Sequence, residues 1–160
     1  MKFSVDKNNK KITVEREFKT PANLMWAAWT EKDNLDKWWA PKPWKTLTKR
    51  LDFSEGGYWL YAMKGPEGGT HWSRADFINI EPENSFTARD SFCDEQGNVT
   101  QGSPQSVWKV NFYKLPGSTN LKVEINFDEV TDMEKYLEMG FKEGFTSGLD
   151  NLEALIRHEG

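Results

Sequence analysis

Three glycines, Gly140, Gly144 and Gly148, are spaced four residues apart in the last third of the chain. They lie in an amphipathic pattern that predicts one long helix over about 131–156, so all three fall on the same helix face. Each glycine inside a helix costs roughly 1 kcal/mol relative to alanine. Two interpretations remain open: close packing against a sheet or helix, or a lid above a partly hollow sheet.

The same predicted helix carries an apolar stripe beside the glycines. Its members recur at spacings of three and four residues and are Phe141, Phe145, Leu149, Leu152 and Ile156. Aromatic bulk therefore alternates with positions that lack a side chain. This pattern favours a helix that covers one face of a sheet.

Composition excludes several classes of function. The net charge is −4, with Lys and Arg scattered among Asp and Glu, so we expect no nucleic-acid partner. The polar N-terminal stretch and the lack of a long apolar run predict no signal peptide and no membrane span. Cys93 is the only cysteine, which excludes an internal disulfide and indicates a reducing, cytoplasmic compartment. The 8 Trp, 10 Phe and 4 Tyr residues favour an aromatic-lined pocket.

Periodicity predicts a strand, two helices, six strands and the long helix, in one domain over residues 1–160. The first strand covers 12–18, and Thr20 would cap a helix with Pro21 in its first turn. A second helix covers 32–38, and the prolines then make 38–44 a rigid aromatic loop. The six later strands are predicted at 46–53, 57–64, 71–81, 85–93, 106–114 and 120–128. Their alternating apolar residues indicate an antiparallel sheet with one buried face.

Several short motifs carry a resemblance to a known family over nearly the whole chain. They include Arg16-Glu17-Phe18 before Pro21, Ala28-Trp29-Thr30, Trp38-Trp39-Ala40-Pro41, Gly56-Gly57-Tyr58-Trp59, Met63, Ile80-Glu81-Pro82-Glu83, Asp94-Glu95-Gln96-Gly97-Asn98 and Leu149-Asp150-Asn151-Leu152. With them the chain resembles the START-like, polyketide-cyclase-like (SRPBCC) helix-grip superfamily. Within it, the chain is most similar to the bacterial family related to the heat-shock-protein-90 ATPase activator homologue.

The resemblance implies an α+β helix-grip fold, in which a curved antiparallel sheet wraps around a long C-terminal helix. The superfamily includes lipid and hormone binders, aromatases and cyclases, self-sacrificing resistance proteins and co-chaperone domains. Fold alone therefore does not decide between binding, catalysis and protein interaction.

Three polar residues, Arg16, His71 and Asp90, fall on or near the predicted inward face. Burial would raise the pKa of Asp90 and make it an acid or a hydrogen-bond partner for a ligand, whereas a structural role would pair it with Arg16 or Arg89. His71 would act as a base at the cavity mouth or remain a partly solvated hairpin residue. His71 and His158 lie far apart in sequence, and we predict no metal site and no cofactor.

The aromatic residues have two interpretations as well. Trp39 and Trp44 would close the pocket mouth or pin the proline-containing loop to the sheet, and the inward aromatics would line a cavity or fill it. We predict a ligand site formed by Trp39, Trp59, Tyr61, Met63, Phe77, Asp90, Trp108, Phe141 and Phe145.

These observations predict a cytoplasmic binding protein for a small hydrophobic or aromatic molecule, without covalent chemistry. One alternative is a cyclase- or aromatase-like enzyme that uses Asp90 and His71. A second alternative, implied by the resemblance, is a chaperone-associated interaction domain. A homodimer formed through the open sheet edge or exposed tryptophans is a further expectation.

Overall fold

The computed structural model describes residues 1–159, with side chains up to Arg157. The side chain of His158, weighed above as a metal ligand, lies outside the described residues. None of the helices in the described part of the chain is long and apolar enough to cross a membrane.

Eight antiparallel strands form one open sheet in the order β1-β2-β8-β7-β6-β5-β4-β3. The strands are β1 (Lys2–Asp6), β2 (Lys11–Phe18), β3 (Lys45–Leu51), β4 (Tyr58–Lys64), β5 (Thr70–Glu81), β6 (Ser85–Cys93), β7 (Gln105–Leu115) and β8 (Ser118–Phe127). Strands β2 to β8 confirm the predicted ones to within two residues at each end. The predicted antiparallel sheet with one apolar face is therefore confirmed.

Strand β1 was missed, because the first residues were interpreted only as a polar segment. The strand lies at the sheet edge and pairs with β2 through residues such as Phe3 and Val14. Four of its five residues are exposed, so it carries little of the apolar alternation that marks a strand.

Two short helices, α1 (Ala22–Thr30) and α2 (Lys32–Trp38), connect β2 to β3 as predicted. The predicted cap was wrong, since Pro21 occupies the N-cap position and no side chain caps the helix. Thr20 is buried instead, and its carbonyl accepts a hydrogen bond of 2.8 Å from the Thr119 hydroxyl on β8. This contact fixes the chain to the sheet one residue before the N-cap.

The prediction of a single long C-terminal helix was also wrong in part. The chain forms two helices, α3 (Val130–Glu138) and α4 (Phe141–Glu159), with a break at Met139 and Gly140. Gly140 has a φ of 85°, a left-handed conformation that ends a helix and that glycine adopts without the cost of a Cβ. The amphipathic pattern continues across this break, so periodicity alone did not reveal it.

Helix α4 supplies the cover of the sheet. Its residues Leu149 and Leu152 are fully buried against the apolar inner face. On β2, the Arg16 guanidinium donates to the Asp150 carboxylate of α4 at 2.8 Å and lies 3.4 Å from the Glu153 carboxylate. The apolar stripe and this ion pair together hold α4 across the sheet.

The three glycines have three different structural reasons. Gly140 breaks the helix, and a Cβ at Gly144 would meet only Pro41, at 3.9 Å. At Gly148 a Cβ would lie 3.0 Å from the Trp39 carbonyl oxygen, which is closer than ordinary van der Waals contact. Close packing therefore explains Gly148, whereas Gly144 borders open space.

Gly144→Ala and Gly148→Ala should change stability in opposite directions. The first should raise the free energy of unfolding by about 0.5–1 kcal/mol, because alanine favours the helix and its Cβ fits. Gly148→Ala should lower the free energy of unfolding by about 1 kcal/mol or more, because the added Cβ would lie too close to the Trp39 carbonyl oxygen. Urea unfolding of both variants checks this pair, and an equal effect of the two substitutions would contradict it.

Candidate ligand-binding cavity

A cavity of about 350 Å³ lies between the sheet, the break that separates α3 from α4, and the proline loop, defined here as residues 39–44. Its walls are mostly apolar and include seven of the nine predicted ligand-binding residues. These are Trp39, Tyr61, Met63, Asp90, Trp108, Phe141 and Phe145. The sheet contributes through β4 to β7, so the space lies between the sheet and the C-terminal helices.

The remaining two predicted residues, Trp59 and Phe77, do not reach this cavity. Both are 5% exposed and border a smaller space of about 40 Å³ deeper in the core. Trp39, Tyr61, Asp90 and Trp108 border both spaces. The inward aromatics therefore divide between filling the core and lining the larger cavity.

The proline loop is held by hydrogen bonds from three directions. Trp38, at the end of α2, donates its indole N–H to the Ala28 carbonyl at 2.8 Å, and the Ala40 amide donates to the Thr46 hydroxyl at 2.9 Å. Asn151 on α4 donates to the carbonyls of Trp38 and Ala40 at 3.3 and 3.0 Å. The loop is thus fixed to α1, β3 and α4, which sets the position of Trp39.

Ring contacts make the cavity wall a continuous aromatic surface. Trp39 lies 5.9 Å from Trp108 and 6.1 Å from Phe145, measured between ring centroids. Phe141 stacks on Phe145 at 5.4 Å and meets Trp108 edge-on at 5.8 Å. Such contacts stabilise the rings in place, so the wall is preformed.

Asp90 forms the polar centre of the cavity. The Tyr136 hydroxyl on α3 donates to Asp90 Oδ2 at 2.8 Å, and Tyr136 lies 3.0 Å from the Ser106 hydroxyl. The Trp108 indole N–H donates to Ser106 at 2.9 Å. Because the Tyr136 proton is used for Asp90, Ser106 must donate to Tyr136, and the chain of donors points toward Asp90.

Burial dominates the electrostatics of this group. Burial raises the pKa of Asp90 to about 6, although the hydrogen bond from Tyr136 lowers it, and the charge of Asp76 raises it further. Burial and the Asp90 charge also raise the pKa of Tyr61 and of Tyr136 above their ordinary range. Both hydroxyls therefore stay protonated at neutral pH and remain hydrogen-bond donors.

The predicted arginine partners of Asp90 were wrong. Arg16 pairs with Asp150 and Glu153 on α4, as described above. Arg89 points to the other face of β6, where it lies 3.9 Å from Asp128. The raised pKa of Asp90, in contrast, agrees with the prediction from burial.

The mouth of the cavity is bordered by Trp44, His71 and Met139, of which His71 and Met139 are exposed. The ring of His71 lies 5.4 Å from that of Trp44. Trp44 thus stands at the mouth, whereas Trp39 lies deeper in the wall. His71 and Asp90 share one cavity, but His71 is not among the groups that shift the pKa of Asp90.

Sequence reasoning missed several residues of the wall. They are Pro41, Ser73, Phe92, Tyr136, Met139, Gly140 and Gly144. Trp44 and His71 were considered at the mouth but were not included among the predicted ligand-binding residues. Tyr136 lies 46 positions from Asp90 in the sequence, and no local pattern links them. The four-residue glycine spacing was the available signal for Gly140 and Gly144.

The reactivity of Cys93 and the grouping of metal-ligating side chains are the other two chemical features that bear on this site. Burial raises the pKa of the Cys93 thiol to about 11, so the thiol is protonated at neutral pH. Within the described residues, no three His, Cys, Asp or Glu side chains are grouped so as to hold a metal ion.

The sequence model of the family described as "Activator of Hsp90 ATPase homolog 1-like protein" matches residues 19–157. The chain belongs to this family. Curated protein sequences gave no match. The family has a helix-grip fold, and proteins of this fold typically bind small hydrophobic ligands. The predicted fold class is confirmed.

Solved structures share the fold over nearly the full length. A Mycobacterium smegmatis protein is 24% identical with a TM-score of 0.90, and the match covers 97% of this chain and 95% of that one. An Arthrobacter aurescens protein is 25% identical with a TM-score of 0.92, covering 98% and 91%. A Staphylococcus epidermidis protein is 21% identical with a TM-score of 0.86, covering 100% and 96%.

Asp90→Asn should stabilise the protein at neutral pH but not in acid. The raised pKa means that ionising Asp90 costs the folded state up to about 3 kcal/mol, so this cost grows from near pH 4 and is complete above pH 6. The amide cannot ionise and still accepts from Tyr136. Urea unfolding of both proteins at about pH 4 and about pH 7.5 checks this. An equal stability difference at the two pH values would refute it.

Proposed function

We propose that this protein binds a small, largely apolar or aromatic molecule in the 350 Å³ cavity and performs no covalent chemistry on it. The observation that carries the proposal is a preformed aromatic wall that surrounds one buried polar centre, Asp90 with Tyr136. An apolar body would be desolvated against the rings, and the polar centre would fix its orientation. The proposed contacts are Trp39, Tyr61, Met63, Asp90, Trp108, Phe141 and Phe145.

The geometry of the wall supports binding over core packing. Phe141 and Phe145 stack on each other along α4, and Gly144 between them leaves its side of the helix open. A fully packed core would contain a side chain at that position. Trp59, proposed earlier as a contact, would act one layer deeper by supporting Trp39 and Tyr61, and Phe77 would border the smaller space beside it.

The two alternatives from the sequence are less well supported. Acid–base catalysis by Asp90 and His71 would need both groups at one reacting centre, but His71 is exposed at the mouth beside Trp44. A chaperone-associated role rests on the family resemblance alone. Homodimer formation and a cytoplasmic location likewise stay predictions.

Titration with N-phenyl-1-naphthylamine, a neutral probe that fluoresces in apolar surroundings, tests the proposal. We expect a saturable rise in probe fluorescence and a parallel loss of tryptophan emission, because Trp39 and Trp108 line the wall. Gly144→Leu should weaken binding at least about tenfold, since a leucine there would fill open space.

Ala154→Leu is the matched control, because it adds a leucine to the exposed side of the same helix. It should bind the probe as the unmodified chain does. Absence of saturable binding, or equal affinity in Gly144→Leu and Ala154→Leu, would reject the cavity as a binding site.

A further inference from the structure

We infer that the cavity selects hydrophobic molecules that carry a protonated amine, whose ammonium group pairs with the Asp90 carboxylate while the apolar body contacts the aromatic wall. This inference rests on the proposed function and adds the charge of the ligand to it. Three independent features of the site support it: the charge of the wall, the hydrogen bonds of Asp90 and the rings around it.

The charge of the wall has one sign. Among the described lining residues, Asp90 is the only Asp, Glu, Lys or Arg, and none of the ion pairs of described side chains includes it. Nearby arginines are engaged elsewhere, Arg89 near Asp128 and Arg74 at 2.6 Å from Asp76. Buried carboxylates are ordinarily paired with a cation. A cationic ligand would supply the missing partner.

The hydrogen bonds of Asp90 leave room for a second donor. Within the described residues, Tyr136 is the side chain that donates to Asp90, and it reaches Oδ2. An ionised carboxylate can accept at both oxygens. The chain from Trp108 through Ser106 to Tyr136 presents donors toward Asp90 and so stabilises negative charge there. An ammonium group on Oδ1 would complete this arrangement.

The rings beside Asp90 suit a cation as well. Trp39, Tyr61 and Trp108 border the same cavity, and Trp and Tyr faces attract ammonium groups when water is excluded. Tyr61 is close enough that the Asp90 charge raises the pKa of its hydroxyl. An anionic ligand, in contrast, would face Asp90 without any lysine or arginine among the described lining residues.

Three probes that share a naphthalene ring test the preference for a cationic, a neutral or an anionic ligand: 2-naphthylmethylamine, 2-naphthylmethanol and 2-naphthoate. Calorimetric titration of the full chain at about pH 7.5 should show the amine binding at least about tenfold more tightly than the alcohol, because a charge-assisted hydrogen bond is stronger than a neutral one. The naphthoate should bind more weakly than the alcohol. Asp90→Asn should remove the preference for the amine over the alcohol.

Asp128→Asn is the matched control, since it removes the same charge from an exposed side chain that does not line the cavity. It should keep the tenfold preference. Equal binding of amine and alcohol by the unmodified chain, or the same loss of preference in both variants, overturns the inference. Binding of N-phenyl-1-naphthylamine in that case preserves the proposed function. If neither that probe nor any naphthyl compound binds, both proposals fail.

The unmodified chain carries this test even if a variant folds poorly. The order amine, alcohol, naphthoate is measured without any substitution, and circular dichroism checks the fold of each variant. An order that begins with the naphthoate would show that the wall accepts negative charge and would reject the inference.

Discussion

The close approach of helix α4 to the proline loop at Gly148 determines the geometry of the rest of the molecule. The Trp39 carbonyl lies where a Cβ would begin, and Asn151, one turn later, donates to the carbonyls on either side. The two backbones approach closely at Gly148, and the Asn151 side chain joins helix and loop by hydrogen bonds. The cavity borders the first turns of α4, where Phe141 and Phe145 stack on each other and contact Trp108 on the sheet.

The cavity places a destabilising buried carboxylate, Asp90, within a rigid aromatic wall. A carboxylate in an aromatic enclosure lowers stability at neutral pH, and folding tolerates this because the wall is stabilised by many ring contacts and by the burial of Leu149 and Leu152. The cost is confined to one residue, Asp90, whose hydrogen-bond donor Tyr136 lies on α3 and is itself bonded to Ser106 on β7. Such local destabilisation within a stable scaffold is characteristic of binding sites.

The sequence predicted the sheet well because alternation is a local signal that most of these strands carry, although β3 buries Thr46 and Thr48 rather than apolar residues. It failed for β1, whose pairing depends on backbone hydrogen bonds and leaves most side chains exposed. It failed at Gly140 because the apolar stripe keeps its spacing through the break. The partner of Asp90 was beyond local reasoning, since Tyr136 reaches it only after α3 folds over the sheet. Cavity volume has no sequence signature, because the same aromatics could also fill the space.

The break at Gly140 separates two helices with different structural roles. Helix α4 contributes the buried leucines and the contact with the proline loop, so the positions on its buried face tolerate little change. Helix α3 has 9 residues, is anchored by Met133 and Tyr136, and is followed at the mouth by Met139. Replacing the exposed Met139 would change the entrance of the cavity while the core stays intact, whereas replacing Tyr136 would change the hydrogen bond to Asp90 and a core contact together. Substitutions in α3 and at Met139 are therefore a route by which ligand preference can diverge among proteins that share this fold.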